Sequence, residues 1–135
     1  MALKIEVFHI IYGAMWFILF PAIILYFVHR GRKDSTYLKN FGERFGLSKG
    51  SKGAVWIHAV SLGELRSAVP LIYKLLERGE KVLTTHITPA GRKEAERAFS
   101  REIENGTLSV CYLPFDMKWT FKRFLRAHKP KICLI

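Results

Sequence analysis

Few residues in this sequence have both the type and the setting for chemistry, and the first is Glu43. It lies in Phe41-Gly42-Glu43-Arg44-Phe45-Gly46, a carboxylate flanked by two glycines and an arginine. A single positioned carboxylate can take a proton from an attacking hydroxyl. A glycine within a helix costs about 1 kcal/mol relative to alanine, so Gly42 calls for a reason, such as close approach of another backbone or of a ligand. A second candidate is Ser61-Leu62-Gly63-Glu64. As a capping box, Ser61 bonds the amide of Glu64 while Glu64 reaches back to the amide of Ser61. As a site, Gly63 opens a helix N-terminus whose free amides attract an anion. The two readings are compatible. Thr88-Pro89-Ala90-Gly91 is another helix start with the same two readings, and Asp116 is placed to cap the helix after it. His58 and His86 lie in predicted strands, where isolated histidines are usually structural, and no Ser-His-acid or Cys-His set accompanies them. Neither GxGxxG nor GxxxxGK[ST] occurs, and no Cys or His cluster has metal-ligand spacing.

The elements that must position these residues alternate. The segment 34–45 reads as a short helix capped by Asp34 or Ser35, with Tyr37, Leu38, Phe41 and Phe45 on one face and Glu43 pointing off it. Gly46 ends it, and 48–53 has linker composition. The run 54–60 is apolar enough for a buried parallel strand. A helix over 61–78 follows, with Leu65, Ala68, Val69, Ile72, Leu75 and Leu76 on one face. Then come a strand over 81–87, a helix from Thr88-Pro89 through Phe99, a strand over 108–112, a helix over 117–127 and a strand over 131–135. This alternation predicts an α/β sheet of mainly parallel strands. The last residues fall within a predicted strand, so the expectation is the front part of a longer protein.

Ahead of the sheet, residues 7–28 are 22 in a row without formal charge apart from His9. As a helix they extend about 33 Å, enough to cross a hydrocarbon core of roughly 30 Å. The run is too long for a signal-peptide core and lacks a cleavage site. Lys4 and Glu6 cancel before it, whereas His29-Arg30-Gly31-Arg32-Lys33 follows it, so the positive-inside rule places the remainder in the cytoplasm. The formal net charge of +11 arises entirely after that segment. No nucleic-acid module is recognisable, and an anionic membrane surface is the partner that the charge and anchor suit. Cys111 and Cys133 are expected to be small core residues in a reducing compartment. The organisation is therefore a membrane anchor over 1–29, a juxtamembrane helix and linker over 30–53, and a partial Rossmann-like domain over 54–135.

Taken in order, Gly42-Glu43-Arg44-Phe45-Gly46, His58-Ala59-Val60-Ser61-Leu62-Gly63-Glu64, Thr88-Pro89-Ala90-Gly91 and Tyr112-Leu113-Pro114-Phe115-Asp116 resemble the N-terminal part of bacterial 3-deoxy-D-manno-octulosonic acid (Kdo) transferases. The resemblance covers essentially the whole chain. It implies the front half of a GT-B glycosyltransferase N-domain, truncated. It also implies inverting transfer of Kdo from CMP-Kdo to a lipid A precursor at the inner membrane, with no cofactor or metal. By that likeness Glu43 matches the general base, and Ser61, Gly63 and Glu64 line the acceptor side. The family's acidic, Trp-containing segment and its C-terminal nucleotide-sugar domain have no counterpart here, so the chain alone is expected to be inactive. A different membrane-linked GT-B glycosyltransferase, or a non-catalytic anionic-lipid-binding module, would fit the same residues.

Overall fold

The computed structural model describes residues 2–135, with side chains from Ile5 onward, so Met1 of the expected anchor lies outside the described residues. Two compact units result, Met1–Lys39 and Asn40–Ile135.

The first unit is dominated by α1, Ala2–Lys33, which is continuous through Pro21 and carries Arg30, Arg32 and Lys33 in its last turn. Its span Ile5–Lys33 is long and apolar enough to cross a membrane, and its most apolar stretch is not covered by the rest of the chain. Beyond it Asp34 accepts from the Thr36 amide at 3.0 Å and caps a 3-10 helix, Ser35–Tyr37. Arg30 donates to the Tyr37 hydroxyl at 2.7 Å. Gly31 makes room for this turn, since a Cβ there would lie 2.4 Å from Leu38 Cγ.

The second unit opens with a 3-10 helix, Phe41–Phe45. The single helix expected over 34–45 is thus two short ones, because Asn40 adopts a left-handed conformation with φ 56° that helical hydrogen bonding cannot continue. The elements that follow are β1 (Val55–His58), α2 (Leu62–Glu77), β2 (Val82–His86), α3 (Pro89–Ala98), α4 (Ser100–Glu104), β3 (Leu108–Tyr112), α5 (Lys118–His128) and β4 (Ile132–Leu134). The strands form one sheet in the order β3-β2-β1-β4, parallel throughout. Alternate residues of β1 point to opposite faces. Val55 and Ile57 join Leu65 and Ile72 of α2 and Ala95 and Phe99 beyond. Ala54 and Trp56 meet Leu83, Cys111 and Phe124 of α5 on the other face. Burial on both faces is what makes the strands read as unbroken apolar runs.

Two expectations change at this level and one element is added. The helix expected through Phe99 ends there, the fully buried Phe99 plugging the core against Tyr73 with ring centroids 5.3 Å apart, and the short α4, not expected, follows it. The N-cap of α5 is Met117 rather than Asp116, and the Thr120 hydroxyl of its first turn serves the carbonyls of Phe115 and Met117. Cys111 is buried as expected, but Cys133 is exposed, since β4 is a three-residue edge strand.

The linker is docked rather than loose. His128, fully buried at the end of α5, receives the Ser51 amide on Nδ1 at 3.0 Å and meets the Ser48 hydroxyl at Nε2, 2.6 Å away. A Cβ on Gly50 would lie 2.5 Å from the Ala127 carbonyl, so only glycine allows this approach.

Candidate functional site

Glu43 is brought to the carboxyl end of β3 by aromatic packing and backbone hydrogen bonds. Phe41 and Phe45 lie 5.7 Å apart and both contact Phe115, with centroids at 6.1 Å and 5.5 Å, in edge-on arrangements typical of aromatic clusters. Trp119 stacks on Phe45 at 6.1 Å. The Phe115 amide donates to the Arg44 carbonyl at 2.8 Å, tying the 3-10 helix to the turn after β3. Gly46 closes the helix with φ 76°, and a Cβ there would lie 2.5 Å from the Thr120 carbonyl. Gly42 has no such constraint: a Cβ would meet only Leu47 at 3.8 Å, so the close approach expected at Gly42 belongs to Gly46 instead.

With the aromatic side chains taken up in that cluster, Glu43 faces inward along the strand end. Its Oε2 accepts the Tyr112 amide at 2.8 Å and is also paired with Arg92 Nη1. Oε1 lies 3.4 Å from Arg92 Nη2. The side chains of Arg92 and Glu43 are 11% and 15% exposed, so this ion pair is largely shielded from solvent. Arg92 is held from behind by Glu96 at 2.7 Å and lies over the Tyr112 ring, 4.8 Å from its centroid. Arg44 lies over the same ring at 4.2 Å and donates to the Ile87 carbonyl at 2.8 Å. Burial works against the charge on Arg92, but hydrogen bonds to Glu43 and Glu96 outweigh it and raise its pKa. Glu43 also lines a cavity of about 550 Å³ together with Lys49, Lys52, Lys81, Cys111 and His128. Burial pushes the Cys111 thiol up to about 12, which leaves it protonated and a poor nucleophile.

Arg92 was not among the residues read from the sequence. The signal was there: α3 has no acidic residue in its first turn, yet places a cation close to its N-terminus. The helix dipole disfavours that placement unless a carboxylate meets it.

Ser61, Gly63 and Glu64 form the capping box, with one change in its geometry. The Glu64 amide donates to Ser61 Oγ at 3.2 Å, the Ser61 hydroxyl to Glu64 Oε1 at 3.1 Å, and Glu64 Oε2 accepts the Val60 amide at 2.8 Å, one residue before the amide expected. The Val60 amide, then the Ser61 hydroxyl, lower the Glu64 pKa. Gly63 is sterically free, a Cβ there meeting only Ser61 Oγ at 3.9 Å. The box follows β1, where the strand order reverses, and in such sheets the ligand crevice opens at that reversal. Glu43 lies at the end of β3, two strands away, or about 10 Å at ordinary strand spacing. Among the described residues no hydrogen bond or ion pair joins the two groups. Between them His58 Nδ1 meets Thr85 Oγ1 at 2.8 Å, and His86 is fully buried under α3. A Cβ on Gly91 would come within 3.4 Å of His86 Nδ1.

Residues 39–135 match the family model for 3-deoxy-D-manno-octulosonic-acid transferase (kdotransferase), and the chain belongs to that family. The sheet fits the N-domain of a GT-B glycosyltransferase. The chain is 42% identical over 121 residues to the 3-deoxy-D-manno-octulosonic acid transferase of Bordetella pertussis, covering 85% of this chain and 28% of the relative. Against the same-named protein of Haemophilus influenzae it is 25% identical over 130 residues, 92% of this chain and 29% of the relative. For that of Aquifex aeolicus the figures are 32% over 103 residues, 73% and 26%. The chain thus spans less than a third of the curated relatives that it matches.

Proposed function

We propose that this chain is the acceptor-side part of an inverting glycosyltransferase that moves Kdo from CMP-Kdo to a lipid A precursor. The observation that carries this reading is Glu43, clamped at the carboxyl end of β3 by Arg92 and the Tyr112 amide. Family membership supplies the sugar class. In the proposed step Glu43 takes the proton of the acceptor hydroxyl as its oxygen attacks the anomeric carbon. The bond from that carbon to the CMP phosphate oxygen breaks, and CMP leaves with the electron pair. Attack opposite the leaving group inverts the centre. Ser61, Gly63 and Glu64 bind the acceptor from the β1 side, across a width suited to a sugar. The reaction needs only the two substrates, and we assign it no cofactor.

In this reading α1 anchors the protein in the inner membrane. Arg30, Arg32 and Lys33 at its end keep the catalytic unit in the cytoplasm, beside a phosphorylated, membrane-embedded acceptor. CMP-Kdo is held by the part of the relatives' length that lies beyond these residues, so the 135 residues alone do not turn over.

The test uses a chimera in which residues 1–135 replace the matching part of the Bordetella pertussis transferase. The chimera should transfer Kdo from CMP-Kdo, whereas the 135-residue chain should not. Glu43→Gln in the chimera should lower kcat by about 10²–10⁴-fold while acceptor binding changes little. Full turnover by Glu43→Gln would remove Glu43 from the reaction, and activity with UDP-sugars but not CMP-Kdo would replace the donor.

A further inference from the structure

We propose that Arg92 is a positioning residue for this reaction: it fixes the Glu43 carboxylate so that Oε1, not Oε2, takes the acceptor proton. The inference rests on the reading of Glu43 as the base. The two carboxylate oxygens are occupied unequally. Oε2 accepts both the Arg92 Nη1 bond and the Tyr112 amide at 2.8 Å. Among the described residues Oε1 has only Arg92 Nη2 at 3.4 Å, beyond the usual range for such a bond. It is therefore the oxygen with accepting capacity left for a hydroxyl.

Arg92 is itself built into place. Its Nε donates to Glu96 at 2.7 Å, its guanidinium lies 4.8 Å from the Tyr112 ring centroid, and its side chain is 11% exposed. Glu96 is one helical turn further along α3, so the helix fixes the guanidinium plane and the plane fixes the carboxylate. A lysine ammonium could neutralise Glu43 but could not hold Glu96 and Glu43 Oε2 together in one rigid fork. The cation also stands near the N-terminus of α3, where the helix dipole opposes it.

In the chimera, Arg92→Gln should lower kcat by about 10²-fold, the scale of loss when a reacting group is misplaced by about an ångström, while KM stays within about threefold. Arg92→Lys should recover part of the loss. Arg92→Ala should regain kcat on addition of millimolar guanidinium ion, which a packing defect would not. An Arg92→Gln enzyme that melts like the parent and keeps kcat within about threefold, while Glu43→Gln does not, overturns this inference and leaves the base intact. Turnover by Glu43→Gln overturns the base assignment itself. Should the Arg92 variants fail to fold, the unmutated 135-residue chain in detergent micelles decides by NMR. A slowly exchanging Arg92 Nε–H signal that Glu43→Gln shifts is expected, and a rapidly exchanging, unaffected one overturns the proposal.

Discussion

At the scale of single residues, the two glycines around Glu43 are not equivalent. Gly46→Ala must hold a φ of 76° and place its Cβ 2.5 Å from the Thr120 carbonyl, and it should cost more than about 2 kcal/mol. Gly42→Ala has space and should be neutral or stabilising by up to about 1 kcal/mol; chemical denaturation of both variants compares them. His86 makes a pH prediction. Burial first, then the charges of His58 and Arg92, push its pKa from 6.5 down to about 4. As pH falls below 6.5 the unfolded chain takes up this proton before the folded one does. The stabilisation is complete above about 6.5 and is lost progressively towards about 4, on the order of 3 kcal/mol in all. An NMR titration of the His86 ring should find its midpoint near 4, and a midpoint near 6.5 would remove the effect. Glu43 was legible as a candidate chiefly through the family resemblance of its motif, since a glycine-flanked carboxylate is a weak signal by itself. Its partner Arg92 was not, since 49 positions separate them and only the fold joins them.

At the scale of elements, the strands and long helices were readable because burial on both sheet faces and on one helix face leaves a clear apolar pattern. The short elements were not. A left-handed Asn40 splits a helix that propensity alone would continue, and the five-residue α4 after the buried Phe99 left no pattern of its own. The linker looked loose by composition, yet His128 gathers the Ser48 hydroxyl and the Ser51 amide onto α5. His128→Ala leaves both groups without that partner and should cost about 2–3 kcal/mol. The Ser51 amide should then exchange with solvent much faster than in the parent. Unchanged exchange at Ser51 would mean that the backbone contact of Gly50 with Ala127 holds the segment alone.

At the scale of the molecule, α1 and the α/β unit follow different rules. The apolar side chains of α1 are not covered by the chain, whereas those of the sheet are buried on both sides. Under the proposed anchoring, the chain should stay with membranes through an alkaline carbonate wash, and removal of residues 1–33 should release it; extraction of the intact chain by the wash would count against a spanning anchor. Both kinds of segment were legible because length alone tells a long all-round apolar helix from the short apolar runs of a sheet buried on both faces. The backbone approaches of Gly46 to Thr120 and of Gly50 to Ala127 add an evolutionary consequence. Two points four residues apart are moored to one face of a single helix, so the intervening length cannot drift. Related sequences should vary freely in side chains between these glycines but admit neither insertion nor deletion there, making this interval a ruler for recognising distant kin.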